Sequence, residues 1–207
     1  PMMAAVADFN GDGHPDIATA NFLDGTISVP LGKGDGTFQA AQNYRTNLDR
    51  QAVAAGDLNG DGHQDLVVTN FCGTDPSCNS NGTATVFLSN GNGTFKQGAT
   101  FSLGKGPVSL ALADLNGDKN LDLIIAQQND NTVTVMLGNG DGTFQHGLTS
   151  SVGNSPVEVA VGDFNKDGKA DLVLVNRCGA GGCNGAGSVS VMLGNGDGSF
   201  QTPVTYG

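Results

Sequence analysis

Residues 7–17 read ADFNGDGHPDI, and the phrase returns as GDLNGDGHQDL at 56–66, ADLNGDKNLDL at 113–123 and GDFNKDGKADL at 162–172. The leading aspartates, Asp8, Asp57, Asp114 and Asp163, are spaced by 49, 57 and 49 residues, so one unit of about 50 residues fills the chain four times. A period of this size marks a repeat architecture, in which each unit buries its apolar faces only by stacking on its neighbours. A second phrase follows the first in every unit: GKGDGTF from Gly32, SNGNGTF from Ser89, GNGDGTF from Gly138 and GNGDGSF from Gly194. Asp8 to Asp114 and Asp57 to Asp163 are both 106 residues, which reads as a two-unit block that was itself duplicated.

Between the phrases the pattern has period two, the mark of a half-buried strand. Apolar positions alternate at Ile27, Val29, Leu31, and again at Ala84, Val86, Leu88, with Thr or Ser mostly on the other face. A short apolar strand such as Val157 to Val161 precedes each Asp-rich loop, and a run such as Leu66 to Thr69 follows it. The Gly-Asp-Gly and Gly-Asn-Gly turns supply positive backbone angles for a hairpin, and a fourth strand is expected to open at Phe38, Phe95, Phe144 and Phe200. The fold class expected is therefore all-β: a β-propeller of four-stranded antiparallel blades, four blades in this chain. A β-sandwich is the alternative, but it does not require the same loop at the same place in every sheet. The chain is expected to form a single repeat domain, 1–207, with blades at 1–49, 50–106, 107–155 and 156–207. Pro1 aligns with Pro107 and Pro156, each seven residues before its leading Asp, so the start is read as a unit boundary.

Composition agrees with this reading. The 207 residues include 33 Gly, 20 acidic and 9 basic residues, with a formal net charge of −11. Nineteen of the acidic residues are Asp and Glu158 is the single Glu, a bias toward turns and metal loops and away from helices. Val, Leu, Ile and Phe together number 49, enough for a thin folded core. The acidic balance argues against nucleic acid or an anionic membrane as the main partner, because both would be repelled. No apolar run reaches the roughly 18 residues of a membrane-spanning helix. Pro1-Met2-Met3 does not resemble a signal peptide, so a leader was removed or the sequence starts inside a longer protein.

The recurring loop has the residue types and spacing of a calcium site. With the leading Asp as position 1, oxygen-bearing side chains fall at positions 1, 3, 5 and 9. These are Asp8, Asn10, Asp12 and Asp16; Asp57, Asn59, Asp61 and Asp65; Asp114, Asn116, Asp118 and Asp122; and Asp163, Asn165, Asp167 and Asp171. Alternate residues of a tight loop point inward, and a hard cation takes six to eight oxygens. Position 7 would add a backbone carbonyl, so His14, His63, Asn120 and Lys169 can differ. Gly13, Gly62 and Gly168 supply the turn at position 6, where the third loop has Lys119. An EF-hand is excluded, because position 12 holds Thr19, Val68, Ile125 and Leu174 where an acidic residue is needed. About four Ca²⁺ ions, one per loop, are expected; the loops hold 12 of the 20 carboxylates, and four ions would bring the charge from −11 to −3. Asp35, Asp141 and Asp197 of the second phrase become Asn92 in the second unit, so a plain turn is expected there.

The pairing of VADFNGDGHPDI or VGDFNKDGKADL with a downstream SVMLGNGDGTF-like strand and turn resembles the FG-GAP/VCBS repeats of calcium-binding β-propellers, including integrin α-subunit heads and certain fungal lectins. The resemblance covers essentially the whole chain. It implies that the calcium loop joins the first and second strands of a blade, that the ions stiffen one face, and that ligands sit on the opposite face or between blades. Propellers of the family usually have about seven blades.

Each longer unit carries a Cys pair, Cys72 with Cys78 and Cys178 with Cys183, which most simply form two local disulfides; a four-thiolate zinc site is the alternative. Each disulfide would add about 2 kcal/mol. His14, His63 and His146 show no partner pattern, Arg50 and Arg177 are scarce cations, and Asn81 and Asn92 begin glycosylation-type triplets. No nucleophile and base stand out. The expected function is a non-catalytic, extracellular, periplasmic or cell-surface binding or adhesion module with a protein or glycan ligand. A lectin holding glycans between blades, or the structural domain of a larger secreted enzyme, is the alternative. Four blades either close a small ring alone or form an open arc, whose end sheets call for self-association or further blades in a longer parent.

Overall fold

The computed structural model describes residues 3–22, 24–46, 52–72, 80–179, 182–183 and 185–207, and all of its regular structure is β. The first sheet contains β1 (Met3–Ala7), β2 (Asp16–Asn21), β3 (Thr26–Val29) and β4 (Gln42–Arg45). The second contains β5 (Val53–Gly56), β6 (Asp65–Asn70), β7 (Thr83–Ser89) and β8 (Phe95–Ser102). The third contains β9 (Pro107–Ala113), β10 (Asp122–Gln127), β11 (Thr132–Met136) and β12 (Leu148–Ser151). The fourth contains β13 (Pro156–Gly162), β14 (Asp171–Asn176), β15 (Ser188–Met192) and β16 (Val204–Tyr206). Every sheet is an antiparallel meander with strands in chain order. No helix among the described residues is long and apolar enough to cross a membrane.

Three apolar cores lie between successive sheets, and they form because every strand sends alternate side chains to opposite faces. One face of the first sheet (Ala18, Ala20, Ile27, Val29) meets the opposite face of the second (Val53, Leu66, Val68, Phe87). Val67, Ala84 and Val86, on the other side of the second sheet, meet Leu110, Leu123 and Ile125 of the third. Ile124, Val133 and Val135 of the third then meet Val159, Leu172 and Leu174 of the fourth. This arrangement explains a difference in burial. β6 and β10, covered on both faces, are buried at every residue, whereas β2 in the first sheet alternates buried and half-buried. The stack is not closed into a ring: these three cores join the first sheet to the second, the second to the third and the third to the fourth.

The fourth strands start later than expected. Phe38, Phe144 and Phe200 make only single bridges, to Gly32, Gly138 and Gly194, and continuous pairing resumes at Gln42, Leu148 and Val204. Only the second sheet keeps an unbroken strand from Phe95, and it does so with an irregularity between Thr85 and Phe87. In these three sheets the glycine turn returns the chain beside the end of the third strand, where Gln39, Gln145 and Gln201 donate their N–H groups to the Leu31, Leu137 and Leu193 carbonyls, whereas the same turn in the second sheet leads directly into continuous pairing.

Cys178 and Cys183 form a disulfide with Cα atoms 4.3 Å apart, which removes this pair from any zinc-thiolate reading. Cys72 is buried, and Cys78, its expected partner, lies outside the described residues, as does Arg50. Replacing Cys178 and Cys183 with Ser is expected to cost about 2 kcal/mol, because the crosslink closes a short loop in the unfolded chain. A thermal melt of the double variant, about 4–8 °C below the parent, checks this.

Candidate metal centre

Each Asp-rich loop joins the first and second strands of its sheet, and the strand ends fix its two outer carboxylates. Position 1 follows the first strand. In the first loop, Asp8 Oδ1 accepts the Gly11 N–H at 2.8 Å and Oδ2 accepts that of Gly13 at 2.8 Å, so one side chain gathers the whole turn. Asp57, Asp114 and Asp163 repeat the Oδ2 bond at 2.9 Å, to Gly62, Lys119 and Gly168. Burial pushes the Asp8 carboxyl up, but the N–H groups of Gly13, Gly11, Asn10 and Asp12 outweigh it and hold the group below its usual range.

Positions 3 and 5 are tied to each other. Asn10 Nδ2 donates to Asp12 Oδ2 at 2.9 Å while the Asp12 N–H donates to Asn10 Oδ1 at 3.0 Å, and the other three loops repeat both bonds. The His63 N–H, then the Asn59 amide, hold the Asp61 carboxyl below its ordinary value; Asn120 and Lys169 lead the same effect at Asp118 and Asp167.

Position 9 has a structural task that its place in the motif did not reveal. Asp16, Asp65, Asp122 and Asp171 are fully buried at the first residue of the second strand. Asp65 Oδ2 accepts the Leu58 N–H of its own loop at 2.9 Å, and Oδ1 accepts the Ser89 N–H at the end of β7 at 2.7 Å. Asp16, Asp122 and Asp171 bridge in the same way to Gly32, Gly138 and Gly194. This carboxylate latches the loop to the third strand. The backbones approach closely at that contact: a Cβ on Gly32 would lie 2.2 Å from the Pro15 carbonyl oxygen, whereas the second sheet makes the same contact with Ser89.

The side chains at position 7 leave the loop. His14, His63, Asn120 and Lys169 lie over Gly34, Gly91, Gly140 and Gly196 of the second turn in the same sheet. The hydrogen bond that position 7 makes in all four loops comes from its backbone N–H, to the carboxylate at position 5, which allows the side chains to vary. The second turns are closed by Asp35, Asn92, Asp141 and Asp197, each accepting the N–H of the Thr or Ser two residues on. Asn92 serves as well as Asp, so this position needs an acceptor oxygen rather than a charge.

The donor chemistry suits a hard cation: every loop offers three carboxylates and an amide oxygen, with no sulfur. The carboxylates also feel one another. Burial first, and then the charges of Asp61 and Asp57, push Asp65 above its ordinary value against the hydrogen bonds from Ser89 and Leu58; Asp122 is raised in the same way, with Asp118 and Asp114 adding to burial. Among the described residues no three His, Cys, Asp or Glu side chains converge into a ready-made shell, because these carboxylates are turned onto backbone N–H groups. An ion would have to compete for the same oxygens.

The third loop keeps its shape despite Lys119. That residue takes φ 71°, and its N–H still reaches Asp114 at 2.9 Å. A left-handed non-glycine residue costs about 1 kcal/mol, so Lys119→Gly is expected to raise stability by about that amount in urea denaturation.

Sequence comparison completes the picture. The FG-GAP-like repeat profile matches residues 8–68, 73–125 and 114–174, and the FG-GAP repeat profile matches 50–87. No curated protein matches the chain significantly. The profile matches span well over half of the sequence and coincide with the loop, latch and paired strands described above. The chain therefore belongs to the FG-GAP-like repeat family.

Proposed function

We propose that this chain is a calcium-stabilised, non-catalytic propeller-type module that works outside the cytoplasm in binding or adhesion. One observation carries the reading: four loops place Asp, Asn, Asp and Asp at positions 1, 3, 5 and 9, between the same two strands of every sheet. Ca²⁺ would draw on Asp8, Asn10, Asp12, Asp16 and the carbonyl of His14 in the first loop, and on the corresponding residues of the others. It would neutralise carboxylates that otherwise repel. The Cys178–Cys183 disulfide supports an oxidising compartment, extracellular, periplasmic or on the cell surface. Calorimetric titration of the chelated protein tests the metal reading: about four Ca²⁺ per chain is expected, and no heat at millimolar Ca²⁺ rejects it.

A lectin is the second reading, favoured by a cleft of about 460 Å³ between the second and third sheets, where Phe101, Phe144 and His146 stand beside Thr100, Thr134 and Thr149. Aromatic rings beside hydroxyls suit a sugar, which presents both apolar and hydrogen-bonding edges. A glycan and matrix-protein array, run with Ca²⁺ and with chelator, separates the two. Glycan binding lost in His146→Ala would favour the lectin, and binding to proteins alone the adhesion module. Hydrolase activity without binding would favour the remaining reading, a domain of a secreted enzyme.

A further inference from the structure

Exposed large apolar side chains are concentrated at the two ends of the stack. Phe164, Val175, Val189, Val204 and Tyr206 lie on the outer face of the fourth sheet, and Val6 and Phe38 on the outer side of the first; among the described residues only Phe22 and Leu148 lie elsewhere. These two faces repeat the two halves of an interface that the four sheets make three times.

The repeat allows position-by-position comparison. Phe164 corresponds to Phe9, Leu58 and Leu115, which the following sheet leaves only 1%, 4% and 4% exposed, whereas Phe164 is 52% exposed. Tyr206 faces Val189 across β15 and β16 as Tyr44 faces Ile27 across β3 and β4. Tyr44 rests edge-on against Phe95 of the next sheet at 5.6 Å, and its hydroxyl accepts the Phe95 N–H at 3.2 Å. Tyr206 is 60% exposed, and the counterpart of Phe95 in the first sheet, Phe38, is 41% exposed.

The second turns tell the same story. Gly93, Gly142 and Gly198 seat on Leu31, Leu88 and Leu137 of the preceding sheet. Gly93 and Gly142 also donate their N–H groups to the Phe9 and Leu58 carbonyls at 3.0 and 2.9 Å. Gly36, the same residue in the first sheet, has open space where its Cβ would be. Among the described residues no turn glycine seats on Leu193 of the fourth sheet, the counterpart of Leu31.

We propose that the fourth sheet of one copy packs head to tail against the first sheet of a second copy, with Tyr206 on Phe38 and Gly36 on Leu193. Such a contact is heterologous, so it builds a closed ring of copies or a short array rather than a face-to-face pair. It needs no new chemistry, because the internal cores supply the pattern. The inference is independent of whether the loops bind calcium.

Native mass spectrometry and sedimentation velocity on residues 1–207 test it. The expected mass is a multiple of 20.9 kDa, two copies or more. Tyr206→Asp blocks the tail and Phe38→Asp the head, and each is expected to weaken association at least about thirtyfold, as loss of a central aromatic does. Mixing the two variants is expected to restore a two-copy species and nothing larger, since each retains the half that the other lacks. A single-copy mass for the parent at about 0.2 mM, well above the micromolar range of a specific contact, would overturn the proposal and leave the face to another partner. Association that survives Phe38→Asp would overturn it in favour of tail-to-tail pairing. Amide exchange on the unsubstituted protein guards against misfolded variants: β15 and β16 should become slower with rising concentration, and unchanged rates also refute the contact.

Discussion

Chelation of Ca²⁺ is expected to lower the thermal midpoint by more than about 10 °C. An ion present at 1,000 times its dissociation constant contributes about 4 kcal/mol per site, and a domain of this size moves about 2–4 °C per kcal/mol. A single saturated loop therefore accounts for the shift, and four loops in one cooperative unit would exceed it. The sign follows from charge: without metal each loop carries three carboxylates, and in the second and third loops burial and mutual repulsion already push Asp65 and Asp122 above their ordinary values. The measurement is a pair of melts, in millimolar Ca²⁺ and in excess chelator, with Mg²⁺ as a third arm. A shift below about 2 °C, under 1 kcal/mol, would mean that the backbone N–H groups of Gly11 and Gly13 already satisfy Asp8, and that these loops are turns.

Much of this was legible because the sequence repeats. Four copies of one phrase fix the unit, and alternation at Ile27 and Val29 or Val133 and Val135 fixes which face is apolar. Strand boundaries were less legible: Phe38 reads as the start of a strand, yet the turn lets it bridge Gly32 before the register at Gln42 is set. The latch was hidden for another reason. An Asp at position 9 fits a metal shell so well that its two backbone partners, distant in sequence at Ser89 or Gly138, leave no local signal. A hint was available in Gly32, Gly138 and Gly194, which start the second phrase where the backbones approach closely, although Ser89 fills the same place in the second unit. The position-7 residues show the converse. His14 and His63 show no partner pattern in the sequence, and their placement over turn glycines explains them as packing.

Asp65→Asn is expected to destabilise the chelated protein by about 2–4 kcal/mol, because each buried donor left without an acceptor costs about 1–3 kcal/mol. The carboxylate has two acceptor oxygens and uses one on Leu58 and one on Ser89. An amide keeps one and turns its own N–H toward the other donor. Asp61→Asn in the same loop is the control: its carboxylate lies in the exposed part of the turn, so in chelator the change should stay within about 0.5 kcal/mol. In Ca²⁺ both variants should bind more weakly, so only the chelated comparison separates latch from ligand. Acidity adds a second readout. Burial, the first cause, raises Asp65 above its ordinary 3.8 in the folded state, so its contribution to stability is fully present below that value and is lost as pH rises through the raised one. In chelator, the stability difference between the parent and Asp65→Asn should therefore widen as pH falls from neutrality toward 3.8. Urea denaturation at several pH values measures it. Equal losses for Asp65→Asn and Asp61→Asn in chelator would return position 9 to the role of a simple metal ligand, and the joining of loop to third strand would then have to rest on the apolar packing alone.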